Sequence, residues 1–261
     1  MGYLAAVVAA LLISPVAFVQ SHNTNGAFAE ANGTPGAPLT AWAVLGLRAA
    51  GATAPGSLAY LQSQEASLSS TTDIALVALA EKSLGAQPTA LLAKLTPKRN
   101  GEIGPTLNAT YWGVLALGHS TSATTKFILA HQTKAGFAWD AGIQPDSNDT
   151  AAALEALRVA HVKGAPITRA VTALLGYETK SGGFELTHGR GADAQSTAWA
   201  IQGLVAAGRT PPRKAFVYLQ SLRRPDGSYR YSARYATTPV WVTSQVLAAL
   251  ARKAFPLVGG A

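Results

Sequence analysis

The sequence has no cysteine and little charge. Its 261 residues include 21 Lys and Arg and 13 Asp and Glu, so 13% of the side chains are charged while 48% are hydrophobic. The absence of cysteine excludes disulfides, thiolate zinc sites and cysteine nucleophiles. A chain this poor in charge must bury most of its helices or strands against one another, which favours a large all-α fold.

Motifs for metal, nucleotide and acyl chemistry are also missing. The five histidines are scattered and show no metal-ligand spacing. The chain has no phosphate-binding loop, no dinucleotide-binding fingerprint and no Gly-x-Ser-x-Gly elbow. The sequence therefore indicates no metal site and no cofactor.

The N-terminus carries an apolar run from Tyr3 to Ile13. The run is short for a bilayer span and has the length of a signal-peptide core. We interpret residues 1–17 as a signal peptide or as the start of a first outer helix. An exported or membrane-associated protein is expected, although no Lys or Arg precedes the run and a cytoplasmic location stays open. Residues 18–255 are predicted to form one domain, with a tail at 256–261.

An internal repeat is the most informative feature of the sequence. Six threonines recur 32 to 47 residues apart, and each is followed by Gly or Ala six residues later and by Leu seven residues later. We call them anchors: Thr40, Thr72, Thr110, Thr150, Thr197 and Thr243. This spacing predicts one amphipathic helix per repeat. Asp149 and Ser196, just before their anchors, are expected to be helix N-caps.

A second pattern precedes most anchors. An apolar helical segment is followed by a glycine turn and an aromatic residue, as in 174–184 (LLGYETKSGGF) and 217–229 (VYLQSLRRPDGSY). Each repeat is therefore a helical hairpin, and six hairpins give about twelve helices. The anchored helices are apolar on both sides, which favours a closed α6/α6 toroid over an open solenoid.

The repeat resembles that of protein prenyltransferase β subunits and squalene cyclases, through those two segments and 195–204 (QSTAWAIQGL). The resemblance covers nearly the whole chain and implies the α/α-toroid fold. Cobalamin carriers of the transcobalamin type share this barrel. A protein prenyltransferase is disfavoured, because the resemblance implies a zinc site with a cysteine ligand and the chain has no cysteine.

The squalene-cyclase resemblance implies an acid in the motif Asp-x-Asp-Asp followed by Thr. The chain has Asp146-Ser-Asn148-Asp149-Thr150, in which Asn148 occupies the position of the proton donor. An amide cannot serve as that acid, so the candidate acids become Asp146, Asp149 and, on the lumen side of the same helix, Glu155.

The side of the anchored helices opposite to the anchors should face a central lumen. Three tryptophans lie two residues after their anchors and are expected to form an aromatic ring that binds a ligand, stabilises a cation or fills a core. The candidate lumen residues are Trp42, Trp112, Trp199, Tyr111, Trp139, Trp241, Tyr229 and Gln202. We expect a hydrophobic terpenoid-type or corrinoid-type ligand, with a terpene cyclase or a scaffold with a filled barrel as alternatives.

The positive charge is concentrated near the C-terminus. The net charge is +8, and nine Lys or Arg residues follow residue 208 against Asp226 alone. This basic C-terminal repeat predicts an anionic head group or a membrane surface as a further partner. Nucleic acid is disfavoured, because the aromatics between these cations are those that the repeat pattern requires. Six parallel helix N-termini would also make one mouth of the barrel favourable for a diphosphate.

Overall fold

The computed structural model describes residues 13–257, which form twelve α-helices in chain order. They are α1 (Pro15–Gln20), α2 (Ala37–Ala49), α3 (Ser57–Gln64), α4 (Thr71–Ser83), α5 (Thr89–Ala93), α6 (Leu107–Leu117), α7 (Ser122–Ala130), α8 (Ser147–Val159), α9 (Ala165–Leu175), α10 (Ala194–Ala206), α11 (Arg213–Ser221) and α12 (Pro239–Leu250). A 3-10 turn (Glu65–Ser67) follows α3, and β1 (Asn23–Thr24) pairs with β2 (Ala27–Phe28) in one short antiparallel hairpin. Even-numbered helices form an inner layer, and odd-numbered helices pack outside them.

The inner helices form a closed ring. Each packs against the next, and α12 packs against α2. Small residues allow this approach, since a Cβ atom on Gly46 would collide with the backbone of Ser244, and one on Gly203 would lie 2.8 Å from Ala151. The predicted all-α, closed α6/α6 toroid is confirmed.

The anchor threonines tie the glycine turns to the inner helices. The backbone N–H of Phe28 donates to Thr40 Oγ1 at 3.0 Å, and that of Phe137 donates to Thr150 Oγ1 at 2.9 Å. The same bond forms in the third, fifth and sixth repeats. The threonine thus satisfies a buried backbone donor that neither helix nor sheet would satisfy.

The second repeat has a different register from the one expected. Thr40, Thr110, Thr150 and Thr197 are each the fourth residue of their helix, and in α4 the fourth residue is Ile74 rather than Thr72. The physical reason is that the second repeat has lost the glycine turn, so no buried N–H requires a hydroxyl at this position. Thr72 therefore lies where the other inner helices place their second residue.

The N-caps also lie further from the anchors than expected. Asp146 caps α8 by accepting from Asp149 N at 2.8 Å, and Asp193 caps α10 by accepting from Ser196 N at 2.7 Å. Asp149 and Ser196 are therefore inside their helices rather than at the N-cap. The anchors Thr150 and Thr197 lie in the first turns of α8 and α10, each one residue after the residue whose N–H the cap accepts from.

The two ends of the chain fall partly outside the described residues. Residues 1–12 of the predicted signal peptide and residues 258–261 of the predicted tail lie beyond them. Ser14 caps α1, and residues 254–257 fold into the ring at the ends of the inner helices. Within residues 13–257, no helix combines the length and apolarity that a bilayer span requires.

Candidate functional site

The ring has two mouths that differ in shape. The first turns of the inner helices surround an open cavity of about 480 Å³, which we call the cup. The opposite mouth, at the C-terminal ends of the inner helices, is closed by residues 254–257. We call it the C-terminal face.

Three indole rings form the floor of the cup. The ring centroids of Trp42, Trp112 and Trp199 are 5.4 to 5.7 Å apart, in edge-to-face or tilted arrangements. Trp199 Nε1 donates to Gln245 Oε1 at 2.8 Å, which fixes its orientation. Each tryptophan also lines the cavity above. The predicted aromatic ring is therefore a layer that divides the lumen, with one surface open to the cup.

The wall of the cup comes from equivalent positions at the start of the inner helices. The second residue of α2, α4, α6 and α10 and the third residue of α12 line it: Pro38, Thr72, Asn108, Gln195 and Trp241. Asn148 is the second residue of α8 and completes this set in sequence. Asn148 itself is not among the residues that line the cavity, and its side chain is an amide.

A buried acid lies directly behind the wall. Asn108 Nδ2 donates to Asp149 Oδ1 at 2.7 Å, and Thr72 Oγ1 donates to Asn108 Oδ1 at 3.3 Å. Burial, and then the nearby Asp146, raise the pKa of Asp149 well above its usual value. Asp146 is also buried, and burial raises its pKa although it accepts backbone hydrogen bonds as the N-cap. The Asn108 amide therefore separates this pair of carboxyl groups from the cup.

Two further carboxylates reach the cup itself. Asp73 is the third residue of α4, as Asp149 is of α8, and it lines the cavity. Burial raises its pKa, against a hydrogen bond from Ser70. The Glu30 carboxylate accepts from Val240 N at 3.0 Å and Trp241 N at 2.9 Å, and so binds the N-terminus of α12.

Glu155 faces the lumen below the tryptophan floor. Its Oε1 accepts from Phe255 N at 2.8 Å, and burial raises its pKa to about 8. Arg158 Nη2 donates to Phe255 O at 2.7 Å, so both ends of this peptide segment are held by α8. Glu155, Gln202, Phe255 and the floor enclose a void that has no room for a water molecule. Glu155 therefore holds the closing segment and has no access to the cup.

The remaining candidate residues divide between the lumen and other places. Trp241 lines the cup, and Gln202 lies in the lower void. Tyr111 is buried against Phe137, and its hydroxyl donates to Ala138 O at 3.3 Å. Tyr229 is the buried aromatic of the sixth glycine turn, and Trp139 is 50% exposed. None of these three side chains lines the cup, because Tyr111 and Tyr229 pack with the turns and the Trp139 side chain is half exposed.

Sequence reasoning missed Asp73, Asn108, Glu30 and Phe255. Asp73 and Asn108 follow from the repeat once the second repeat is aligned on Ile74, because they then occupy the positions of Asp149 and Asn148. Glu30 and Phe255 lie outside the helices and have no counterpart in the other repeats. No sequence signal could have placed them.

Comparisons with known proteins agree with this architecture. The ent-copalyl diphosphate synthase from Streptomyces platensis superimposes with a TM-score of 0.61 at 22% identity, over 83% of this chain and 50% of its own. The type II terpene cyclase MstE from Scytonema, bound to geranylgeranyl dihydroxybenzoate, superimposes with a TM-score of 0.65 at 16% sequence identity. The superposition covers 91% of this chain and 94% of MstE. This chain has the terpenoid-cyclase toroid fold. The Candida albicans protein geranylgeranyltransferase-I complexed with GGPP superimposes with a TM-score of 0.58 at 13% sequence identity, over 81% of this chain and 82% of its own.

The toroid here spans half of the copalyl diphosphate synthase chain and nearly all of MstE. No protein-family model and no curated protein sequence matches the chain. At these identities the likeness establishes the fold alone. Among residues 13–257, no three His, Asp or Glu side chains are grouped so that they could hold a metal ion.

Proposed function

We propose that the cup binds an apolar ligand of the isoprenoid class against the tryptophan floor. The observation that carries the proposal is the floor itself: three indoles in mutual contact form the bottom of an open cavity of about 480 Å³. A cavity of this size, lined by aromatic and aliphatic side chains with a few polar groups, is typical of small-molecule sites. The indole layer offers a flat apolar surface to a hydrocarbon.

The charges of the cup favour a ligand without an anionic group at this mouth. Glu30 and Asp73 line the cavity, and no Lys, Arg or His of the described residues does. The N-terminus of α12 is already bound by Glu30. The expectation that the helix N-termini make this mouth favourable for a diphosphate is therefore opposed by the carboxylates. An alcohol or a neutral ring suits the Thr72 and Asn108 wall better.

The structural neighbours support the isoprenoid class. MstE is bound to geranylgeranyl dihydroxybenzoate, and the geranylgeranyltransferase to GGPP. The corrinoid alternative stays a prediction. An anionic partner would bind at the C-terminal face, where basic side chains line two cavities.

Tryptophan fluorescence tests the proposal, because four of the five tryptophans line the cup and Trp139 does not. Titration with geranylgeraniol should change the emission and saturate. Trp112→Leu should weaken the affinity by about tenfold or more, since about 1.4 kcal/mol of aromatic contact is lost. Trp139→Leu is the matched control and should bind normally. A flat titration, or equal losses in both variants, would contradict the proposal and favour a scaffold with a filled barrel.

A terpene cyclase is the second candidate, favoured by one observation. The buried pair Asp146 and Asp149 holds a carboxyl with a raised pKa one hydrogen-bonded amide behind the cup wall. For a cyclase we expect product formation to be lost in Asp149→Asn and kept in Glu155→Gln, whose carboxyl lies below the floor. Gas chromatography of extracts after incubation with squalene or geranylgeraniol measures this. Unchanged substrate in the wild type would leave binding as the function.

A further inference from the structure

In the described part of the chain, the exposed charged side chains of the C-terminal face are all basic. All 13 acidic residues of the chain lie within the described part. Ten of them lie on the turns, loops and first helical turns that lead into the inner helices, at the end of the molecule that holds the cup, and the half-buried Glu65 lies near Glu81. The other two, Glu81 and Glu155, lie near the C-terminal ends of inner helices and are both buried. Among the side chains of residues 13–257, no exposed carboxylate is therefore available on the C-terminal face to neutralise a cation.

The basic residues of this face surround two neighbouring cavities. Arg48, Arg158, Arg252 and Lys253 line one of about 500 Å³. Arg158 also lines the second, of about 520 Å³, together with Lys163, Arg209 and His161. The three ion pairs of the described chain all lie elsewhere, at Glu102, Glu185 and Asp226. Six Lys and Arg side chains thus line two neighbouring concave sites that share Arg158, and none of the six is in one of these ion pairs.

Arg158 is the residue common to both cavities, and its guanidinium is held in place. Nη2 donates to the carbonyls of Phe255 and Pro256 at 2.7 and 3.2 Å, and the buried Nε has no partner. Both Nη2 hydrogens are used in these two bonds, so Nη1 is the group left to donate to the oxygens of a phosphate, and the positive charge is fixed beside both cavities. The arrangement therefore provides both charge and orientation.

Helix ends explain only part of this pattern. Cations in the last turn of a helix interact favourably with its dipole, and Arg48 and Arg158 are in such positions. Lys163, Arg209 and Lys253 lie beyond the ends of their helices, where the dipole effect is weak. Their convergence on the same cavities as Arg48 and Arg158 requires a different reason.

We propose that the C-terminal face is a binding site for a phosphate-bearing group, centred on the cavity of Arg48, Arg158, Arg252 and Lys253. Its ligand chemistry is that of a diphosphate or of a phospholipid head group. The site is at the opposite mouth from the cup and does not depend on the function proposed there.

This site differs from the basic C-terminal repeat expected from the sequence. Residues of that repeat separate in the structure, because each hairpin carries the chain from one end of the molecule to the other. Arg224 and Arg234 lie in the turn and loop on the cup side, whereas Arg209, Arg252 and Lys253 lie on the C-terminal face. The face gains Arg48, Arg158 and Lys163 from other repeats.

The test uses the full-length protein and a charge-matched control. In Arg48→Gln/Arg252→Gln/Lys253→Gln, three cations are removed from the C-terminal face while Arg158 keeps its contacts with the closing segment. In Arg99→Gln/Lys180→Gln/Arg234→Gln, three exposed cations are removed from the other end. Both triple variants lower the net charge equally. Thermal unfolding followed by circular dichroism verifies that both are folded.

Two probes distinguish the sources of the phosphate. Inorganic pyrophosphate is titrated by calorimetry, and vesicles of phosphatidylglycerol are compared with vesicles of phosphatidylcholine by co-sedimentation. The wild type should bind pyrophosphate or the phosphatidylglycerol vesicles, and the first triple variant should bind at least about tenfold more weakly. The control variant should stay within about twofold of wild type. Pyrophosphate alone indicates a soluble ligand, and vesicles alone indicate a lipid head group.

Three outcomes would overturn the proposal. They are no binding of either probe, equal weakening in the two triple variants, and binding only of an oligonucleotide used as a third anion. Equal weakening would show a general effect of net charge rather than a site on this face.

Discussion

At the scale of single residues, Glu81 is the clearest conflict with the repeat. It is the eleventh residue of α4, and the eleventh residue of α2, α6, α8 and α10 is leucine. Glu81 is fully buried, and neither carboxylate oxygen has a hydrogen-bond partner. Burial, and then the nearby Glu65, raise its pKa to about 7. The side chain lies where the fold requires an apolar group.

Glu81→Leu should therefore stabilise the protein, with an effect that depends on pH. Because the folded-state pKa is above the ordinary value of 4.5, the wild type is relatively stable below pH 4.5 and loses stability as the pH rises through about 7. The gain from Glu81→Leu should grow across this range and reach about 2 kcal/mol at pH 8. Urea unfolding at pH 5 and pH 8 measures it.

Glu81→Gln is the control for this prediction. It removes the titration without restoring an apolar side chain, so it should flatten the pH dependence and gain less stability than Glu81→Leu. A Glu81→Leu variant that is less stable than wild type at pH 8 would show that the carboxylate has a partner or a function.

The candidate acids show how far single residues could be predicted. The sequence identified Asp146, Asp149 and Glu155, and all three are buried. The sequence could not show that the three residues have different surroundings. Asp146 is the N-cap of α8, Asp149 lies behind the cup wall, and Glu155 faces the lower lumen. Which side of the tryptophan floor Glu155 occupies depends on Phe255, which belongs to no repeat.

At the scale of elements, the anchor threonine and the glycine turn form one unit. The hydroxyl of Thr150 accepts from Phe137 N at 2.9 Å and donates to Asp146 O. The second repeat lost the turn and the threonine together. Because the threonine and the turn occur together, the threonine marks the same helical position in the five repeats that keep the turn. In the second repeat, which lacks the turn, Thr72 lies two residues before that position.

Thr150→Val should cost about 1 to 3 kcal/mol of unfolding free energy, because it leaves the buried N–H of Phe137 without an acceptor. Thr168→Val is the comparison, since Thr168 is exposed and its hydroxyl only donates to Gly164 O within the first turn of α9. That variant should change the stability by less than about 0.5 kcal/mol. Chemical denaturation of both variants measures the difference. Similar losses would mean that the turn is held by other contacts.

At the scale of the whole molecule, the toroid has two ends of opposite character. The cup has an indole floor and carboxylates on its wall, while the C-terminal face is closed by residues 254–257 and is basic. The closed ring of six hairpins was predictable because five of the six repeats share the anchor threonine and the turn that it binds. The division of the lumen by the tryptophans and the separation of charges were not, since both arise from residues that meet only when the ring closes.

Export of the protein stays a prediction, because most of the apolar run lies outside the described residues. The isoprenoid ligand is the central claim, and it depends on one surface: the upper side of the tryptophan layer. A scaffold would need no ligand there, and a cyclase would need one that also reacts.

A crystal structure of the protein with geranylgeraniol tests this claim most directly. We expect electron density for the hydrocarbon chain in the cup, in van der Waals contact with Trp42, Trp112 and Trp199, and with its hydroxyl towards Thr72 or Asn108. An empty cup at saturating ligand, or density confined to another part of the surface, would contradict the claim.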